Sequence, residues 1–296
     1  MRALRPIAVL LFSGAAAFPS SAADSSAPDL SGIWARTTFG YDLPPPGVTP
    51  SPLRNLARRA NGTSEAFKLV GDYNNPILKP EAARIVKEHG EISLAGKSYP
   101  DLSNECRPLP PPYVVRIAQM QMLQEKDKIT ILYIQDHQVR HVRLNAQHPQ
   151  HVVPSWNGDS VGRYEGDTLV IDTVGIKTRS GSLIDMYGTP HSPALHVIER
   201  YRLVDAEAAA AAQARSEKEY GRPTTEPVYV DFGYKGKGLE VKFTVEDPGV
   251  FTTDWSSSVT YRRSNSEWLE IVCAENLENY YPGATTTVPK VDRPDF

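Results

Sequence analysis

From Tyr113 onward, the chain repeats short runs of β-branched and aromatic residues, and turn-forming residues separate these runs. This spacing is typical of successive antiparallel strands. Strands are predicted at 113–117, 121–125, 128–135, 139–144, 160–165, 168–173, 195–203, 228–234, 239–245 and 268–273. Because the strands do not alternate with helices, the pattern predicts an all-β fold, with an antiparallel β-barrel or sandwich as the architecture.

Two helices are predicted outside this strand pattern. Residues 24–112 are rich in proline, which cannot donate to a strand ladder, so we expect an N-terminal arm that holds the first strand and a short helix at Pro80–Glu88. The alanine-rich stretch at 206–222 has high helix propensity and predicts a helical insertion between two strands. The main β domain is expected to cover 113–281, followed by a tail at 282–296.

The first 23 residues have the organisation of a cleavable signal peptide. Arg2 and Arg5 precede an apolar run from Ile7 to Phe18, which ends in small residues at 20–23. The run is shorter than the roughly 20 residues that a membrane-spanning helix needs, and no later segment comes close to that length. The sequence therefore predicts a periplasmic or secreted protein without membrane insertion.

Composition narrows the choice of partners. The formal net charge is -3, which provides no positive field for a nucleic-acid backbone, so nucleic acid is not expected. Hydrophobic residues make up 40% of the chain and aromatic residues 9%, enough for a large core with an aromatic-lined cavity. A small-molecule ligand or substrate is the expected partner, and the sequence does not determine the oligomeric state.

Cys106 and Cys273 are the two cysteines of the chain. In an oxidising compartment they could form one disulfide, whereas the alternative is a pair of buried thiols that act as small hydrophobic residues. The sequence favours neither.

The segment from Ile184 to Leu203 carries the highest density of groups that transfer protons. It contains the candidate catalytic residues Asp185, His191, His196 and Glu199. In a strand from Leu195, Glu199 shares a face with apolar residues, so it is either paired, for example with an arginine from an adjacent strand, or has a raised pKa. An imidazole titrates near neutral pH and can serve as a general acid or base.

Tyr187, Arg200 and Trp156 complete this candidate site as substrate-binding residues. The alternative for each histidine is a purely local hydrogen bond. A metal held by the histidines and a carboxylate is chemically possible, but their spacing matches no HExxH-type pattern, so no metal is predicted. No cofactor is predicted either, because the chain lacks a P-loop, a Rossmann fingerprint and a G-x-S-x-G elbow.

Two further clusters are present. The first holds Asp136, His137, Arg140, His141, His148 and His151, and is interpreted as a solvated loop in preference to a pocket rim. The second is a pair of strands around Glu165-Gly166-Asp167. Within it, Asp172 lies on an apolar face and is expected to form a structural pair with an arginine such as Arg200.

These motifs resemble known protein families. The opening Gly32-Ile33-Trp34 is similar to the Gly-x-Trp start of lipocalin-like barrels, in which the tryptophan closes one end. Pro190-His191-Ser192, Leu195-His196 and Glu199-Arg200, followed by Asp247-Pro248 and Cys273, resemble a family of secreted, mostly uncharacterised bacterial proteins. The resemblance implies a lipocalin-like antiparallel barrel and no particular reaction. The helical insertion departs from the family's direct strand-to-strand connection.

Two functions follow as hypotheses. The first is an exported enzyme, a lyase or isomerase, that binds a mid-sized, partly apolar molecule in the barrel and performs acid–base elimination, hydration or isomerisation. The second is a non-catalytic binding or carrier protein of the cell envelope, in which the same polar groups orient the ligand. Convergence of His191, His196 and Glu199 on one cavity would favour the enzyme.

Overall fold

A computed structural model describes residues 27–44, 47–66, 68–97, 106–222 and 229–268. The predicted signal peptide, the tail at 282–296, the predicted strand beyond Trp268 and Cys273 lie outside the described residues. Cys106 is bonded in a disulfide.

The described residues form a closed barrel of nine strands in sequence order. Of the barrel and the sandwich that the strand pattern left open, the structure shows the barrel. The strands are β1 (Gly32–Ala35), β2 (Gln119–Gln124), β3 (Lys128–Tyr133), β4 (Gln138–Leu144), β5 (Asp159–Glu165), β6 (Thr168–Val174), β7 (His196–Val204), β8 (Gly238–Glu246) and β9 (Trp255–Arg263).

The barrel is mixed and not wholly antiparallel as predicted, because β4 and β5 run parallel. The chain between them, residues 145–158, passes along the barrel and returns to its starting end; we call this segment the crossover. Parallel neighbours need such a long connection. Nine strands in strict alternation would leave β1 and β9 pointing the same way, so the single parallel pair allows the observed antiparallel closure between them.

Alternation along the strands separates the interior from the outer surface. On β7, Val197, Glu199 and Tyr201 are buried, whereas His196 and Arg200 are not. The same alternation holds on β4 and β8, where every second residue is buried. Outward positions on these strands can therefore contribute to a surface site.

Trp34, which the resemblance expects to close one end of the barrel, is buried. Its side chain has no exposed surface, and its Nε1 donates to the backbone oxygen of Leu30 at 2.9 Å. The guanidinium of Arg263, on neighbouring β9, lies 3.8 Å from the centre of the indole ring. Trp34 therefore joins the first and last strands of the barrel.

The two α-helices of the described chain lie outside the barrel wall. Helix α1 (Pro80–Leu94) begins at the proline predicted to start it, and α2 (Ala206–Tyr220) occupies the predicted insertion between β7 and β8. The segment before α1 is fastened to the chain after β8, where Lys79 N donates to Val250 O at 2.9 Å. No helix in the described ranges is both long and apolar enough to cross a membrane.

Two predicted strands are wrong. Residues 113–116 form a 3₁₀ turn, because Pro112 enters in a helical conformation and Val115 N bonds back to Pro112 O at 3.0 Å. In the predicted strand at 228–234, the described part contributes one isolated bridge, Val230 to Ser264, after which Asp231 forms a tight turn. Strand β9, which closes the barrel, was missed because Ser256, Ser257 and Ser258 interrupt its hydrophobic pattern.

Candidate functional site

Three of the predicted site residues lie on one loop, residues 183–195, which we call the site loop. It leads into β7 and is closed on itself by Ile184 N, which donates to Thr189 O at 3.0 Å. Gly188 has a φ of +82°, and a Cβ there would lie 2.5 Å from the His89 ring on α1. A glycine at this position therefore lets α1 pack closely against the site loop.

Asp185 organises the turn of the site loop. It is buried, and its carboxylate accepts hydrogen bonds from Tyr187 N at 2.8 Å, Thr189 N at 3.1 Å and Thr189 Oγ1 at 2.5 Å. Burial raises the pKa of Asp185, and these hydrogen bonds offset part of the rise. All of these hydrogen bonds lie within its own turn, which favours a structural role for this carboxylate.

Tyr187 borders a small closed cavity. The cavity measures about 10 Å³ and is lined by Arg116, Asp185, Tyr187 and Tyr220, among others. That volume is room for about one water molecule. The Tyr187 hydroxyl and the Arg116 Nε are both buried and lack a hydrogen-bond partner among the described residues.

One ring nitrogen of His191 has hydrogen-bond partners, and the other has none among the described residues. Its Nδ1 lies 3.2 Å from Ser192 O and 3.3 Å from Thr178 Oγ1. Because a carbonyl oxygen can only accept, Nδ1 carries the proton and Nε2 keeps its lone pair. Nε2 is buried without a partner among the described residues, and burial lowers the pKa of His191, so the ring is neutral at pH 7.

The chain after β8 holds the site loop in place through Asp247, which sequence reasoning did not assign to the site. The Asp247 side chain is buried and accepts from Ser192 N at 2.7 Å, Ser192 Oγ at 2.6 Å and Gly249 N at 3.0 Å. An Asp that precedes Pro248-Gly249 is a turn signal in the sequence. Its partner across 55 positions could not be identified from the sequence.

Glu199 lies in the barrel interior and is paired. Arg140 on β4 donates through both terminal nitrogens to the two carboxylate oxygens of Glu199, and Tyr201 Oη donates at 3.0 Å. Both charged side chains have no exposed surface. Of the two alternatives for Glu199, the structure shows the ion pair, but the arginine comes from across the barrel and not from an adjacent strand.

Arg140 is held at every nitrogen. Besides Glu199, its guanidinium donates to Ser160 Oγ at 3.1 Å on β5 and Thr173 Oγ1 at 2.7 Å on β6. Burial by itself would lower the pKa of Arg140, but the charge and hydrogen bonds of Glu199 together with the neighbouring Tyr133 and Tyr201 raise it. The interpretation of Arg140 as part of a solvated loop is therefore wrong, because it points inward from a strand.

His196 lies on the outer face of β7, opposite Glu199. Its Nδ1 is 2.8 Å from Glu246 Oε2 on β8, and its Nε2 is 2.9 Å from Asp172 Oδ1 on β6. The expected pairing of Asp172 with Arg200 is wrong: Asp172 contacts His196 and His148, and Arg200 contacts Glu165 at 2.7 Å. The register explains this, because Arg200 stands beside Val170, the next outward position along β6.

Arg200 borders a groove of about 450 Å³ on the outer faces of β7, β8 and β9. The groove is lined by Asp42, Leu43 and Pro44 from the N-terminal segment, Arg215 from α2, and Ile198, Arg200, Glu240, Lys242, Phe243, Thr244, Ser256, Ser257, Ser258 and Thr260 from the barrel. Its volume falls within the range of small-molecule sites. Of the predicted site residues, Arg200 alone lines this groove.

Trp156 lies elsewhere, on the crossover. Its ring is partly buried against the core, with Lys177 Nζ at 5.3 Å and the Arg179 guanidinium at 5.8 Å from its centre. The described geometry thus brings Asp185, Tyr187 and His191 onto one loop, and distributes Glu199 to the barrel interior, His196 and Arg200 to its outer face, and Trp156 to the crossover. His191, His196 and Glu199 share no hydrogen-bond partner in the described chain.

No group of three or more His, Cys, Asp or Glu within the described ranges is arranged to hold a metal ion. In comparisons with known proteins, the chain matches no family model, no curated protein and no solved structure. The closed β-barrel is compatible with small-molecule binding, and its site has to be argued from its own geometry.

Proposed function

We propose that this protein is a non-catalytic small-molecule binder, a carrier whose ligand occupies the groove over β7, β8 and β9. The observation that carries the proposal is the groove itself, about 450 Å³ in volume, with basic side chains and hydroxyl groups on the same wall. The ligand is a mid-sized, partly apolar molecule with an anionic group.

The charges of the groove favour an anionic group on the ligand. Lys242 is 3.6 Å from Glu240, and Arg200 is bonded to Glu165, so these cations are partly neutralised. Arg215 is exposed and forms no ion pair with the described residues, so its guanidinium is available to bind a carboxylate or phosphate. Leu43, Pro44 and Ile198 supply apolar surface for the remainder of the ligand.

The occupied acid–base groups favour binding over catalysis. Both ring nitrogens of His196 face carboxylates, and both oxygens of Glu199 accept from Arg140. A general acid or base must reach the reacting proton directly or through one water. To transfer a proton to or from a substrate, His196 and Glu199 would first have to break these hydrogen bonds.

Binding assays on a variant of Arg215 test this proposal. We expect at least one compound from a panel of mid-sized carboxylates and phosphate esters to raise the melting temperature of the protein, because a ligand of the folded state stabilises it. Arg215→Ala should weaken the binding of that compound by about tenfold, the effect of losing one charged hydrogen bond.

Lys218→Ala is the matched control, since Lys218 is exposed on the same helix and does not line the groove. It should bind like the wild type. If no member of the panel binds, or if Arg215→Ala binds as tightly as Lys218→Ala, the groove is not the ligand site.

We also propose that the protein is exported and that its barrel belongs to the lipocalin-like class. The support is the charged, apolar and small-residue order of 1–23 and the Gly32-Ile33-Trp34 start of a strand that closes the barrel. Intact-mass measurement on the exported protein should give a chain that begins near Asp24. A mass that includes the first twenty or so residues would contradict the export proposal.

An acid–base enzyme is a second candidate, and His191 is the residue that favours it. A neutral imidazole with an unoccupied Nε2 is the form that a general base requires. For any compound the protein converts, His191→Ala should lower kcat by about a hundredfold or more, as loss of a general base does. His196→Ala tests the other predicted histidine, and unchanged conversion in both variants would exclude this mechanism.

A further inference from the structure

Six polar side chains form a continuous row on the outer surface of the barrel, which we call the imidazole row. In spatial order they are Arg143, Asp159, His148, Asp172, His196 and Glu246. They extend over β4, β5, β6, β7 and β8, and His148 joins the row from the crossover. Basic and acidic groups alternate along the whole row.

Each histidine of the row lies between two carboxylates. His148 has Nδ1 at 2.6 Å from Asp159 Oδ2 and Nε2 at 3.1 Å from Asp172 Oδ1, while His196 lies between Asp172 and Glu246. A carboxylate accepts hydrogen bonds, and a neutral imidazole can donate only one. Both contacts of a ring are therefore hydrogen bonds only when the ring carries two protons.

The neighbours in the row favour the charged forms of both His196 and Asp172. Burial by itself would lower the pKa of His196, but its hydrogen bonds to Glu246 and Asp172 outweigh this and raise the pKa above the usual 6.5. Burial would raise the pKa of Asp172, but its bonds to His148 and His196 lower it below 3.8. Arg143, at 2.8 Å from both oxygens of Asp159, is the further cation in the row.

The row bridges the part of the barrel in which two neighbouring strands, β4 and β5, share few paired residues. Strands β4 and β5 pair at three residue positions, whereas β7 and β8 pair along their full length. Arg143 and His148 both bind Asp159 at the start of β5, and His148 in addition attaches the crossover to β6 through Asp172. Around His148 the crossover is largely exposed, with Val153 85% exposed.

We propose that the imidazole row is a pH-sensitive latch that holds the crossover against the barrel wall through the contacts of His148 with Asp159 and Asp172, and releases it as the pH rises. The sign follows from linkage. A group whose pKa is raised by folding stabilises the folded protein at pH values below its pKa in the unfolded chain, which is near 6.5 for His196. That stabilisation is lost as the pH rises through the pKa of the folded state. The pKa of Asp172 is lowered, so its contribution is present above its unfolded value and is lost as the pH falls through the folded value.

Hydrogen–deuterium exchange of residues 146–154 tests the latch in the full mature chain, without any ligand. Exchange rates are divided by the intrinsic rates of an unstructured peptide at each pH. We expect protection to be about tenfold lower at pH 9 than at pH 6, the change produced by losing one charged hydrogen bond. His148→Gln and Asp172→Asn should give the low-protection state already at pH 6.

His151→Gln is the matched control, because His151 lies on the same crossover, is exposed and is not part of the row. It should keep the pH dependence of the wild type. Protection that is equal at pH 6 and pH 9 in the wild type would overturn the latch. So would a pH dependence in His148→Gln and Asp172→Asn as large as that of His151→Gln. Asp172→Asn is nearly isosteric, so it tests the charge with little change in packing.

Discussion

Replacement of Glu199 by Gln tests how much the buried ion pair between Glu199 and Arg140 contributes to the stability of the barrel. The substitution preserves the shape of the side chain but leaves Arg140 as a buried charge without a counter-ion. Arg140 would keep its bonds to Ser160 and Thr173, which are neutral acceptors. Loss of one partner of a buried ion pair costs about 3–5 kcal/mol, so Glu199→Gln should lower the free energy of unfolding by that amount.

Urea unfolding followed by tryptophan fluorescence and circular dichroism measures this loss. Arg202→Gln is the control, since Arg202 lies on the same strand but faces outward, 46% exposed, with Glu240 at 3.0 Å. Its loss should be below about 1 kcal/mol, as for other exposed pairs. The double variant Arg140→Met with Glu199→Leu should lose less than Glu199→Gln, because it leaves no unpaired charge. A loss below about 1 kcal/mol for Glu199→Gln would refute the argument.

The remaining predictions concern packing and the site loop. Trp34→Ala should lower the free energy of unfolding by about 3–5 kcal/mol, because it removes a fully buried indole between β1 and β9, and a loss below about 1 kcal/mol would show that the ring does not join the strands. Asp247→Ala leaves the donors of Ser192 and Gly249 without their acceptor and should cost about 1–3 kcal/mol in urea unfolding, with faster proteolysis within 183–195. Asp167→Ala, in the exposed turn between β5 and β6, is its control and should leave both measurements unchanged.

The candidate site was predictable from the sequence in part. Alternation placed Glu199 on an apolar face and His196 on the opposite face, and both placements are observed. What the sequence could not provide was the partner of each group. Arg140 and Glu199 are 59 positions apart, and Asp172 and His196 are 24 apart, so their contacts depend on which strands become neighbours and in which register.

The sequence by itself determined the local structure: most of the strands, the proline start of α1 and the alanine-rich α2. These follow from residue propensity and periodicity, which act over a few positions. The tertiary structure alone decided the direction of β5, the ninth strand that closes the barrel, and the division of the predicted site among a loop, the barrel interior and its outer face. Those features depend on contacts between distant segments, and a barrel forms such contacts only when all of its strands have paired.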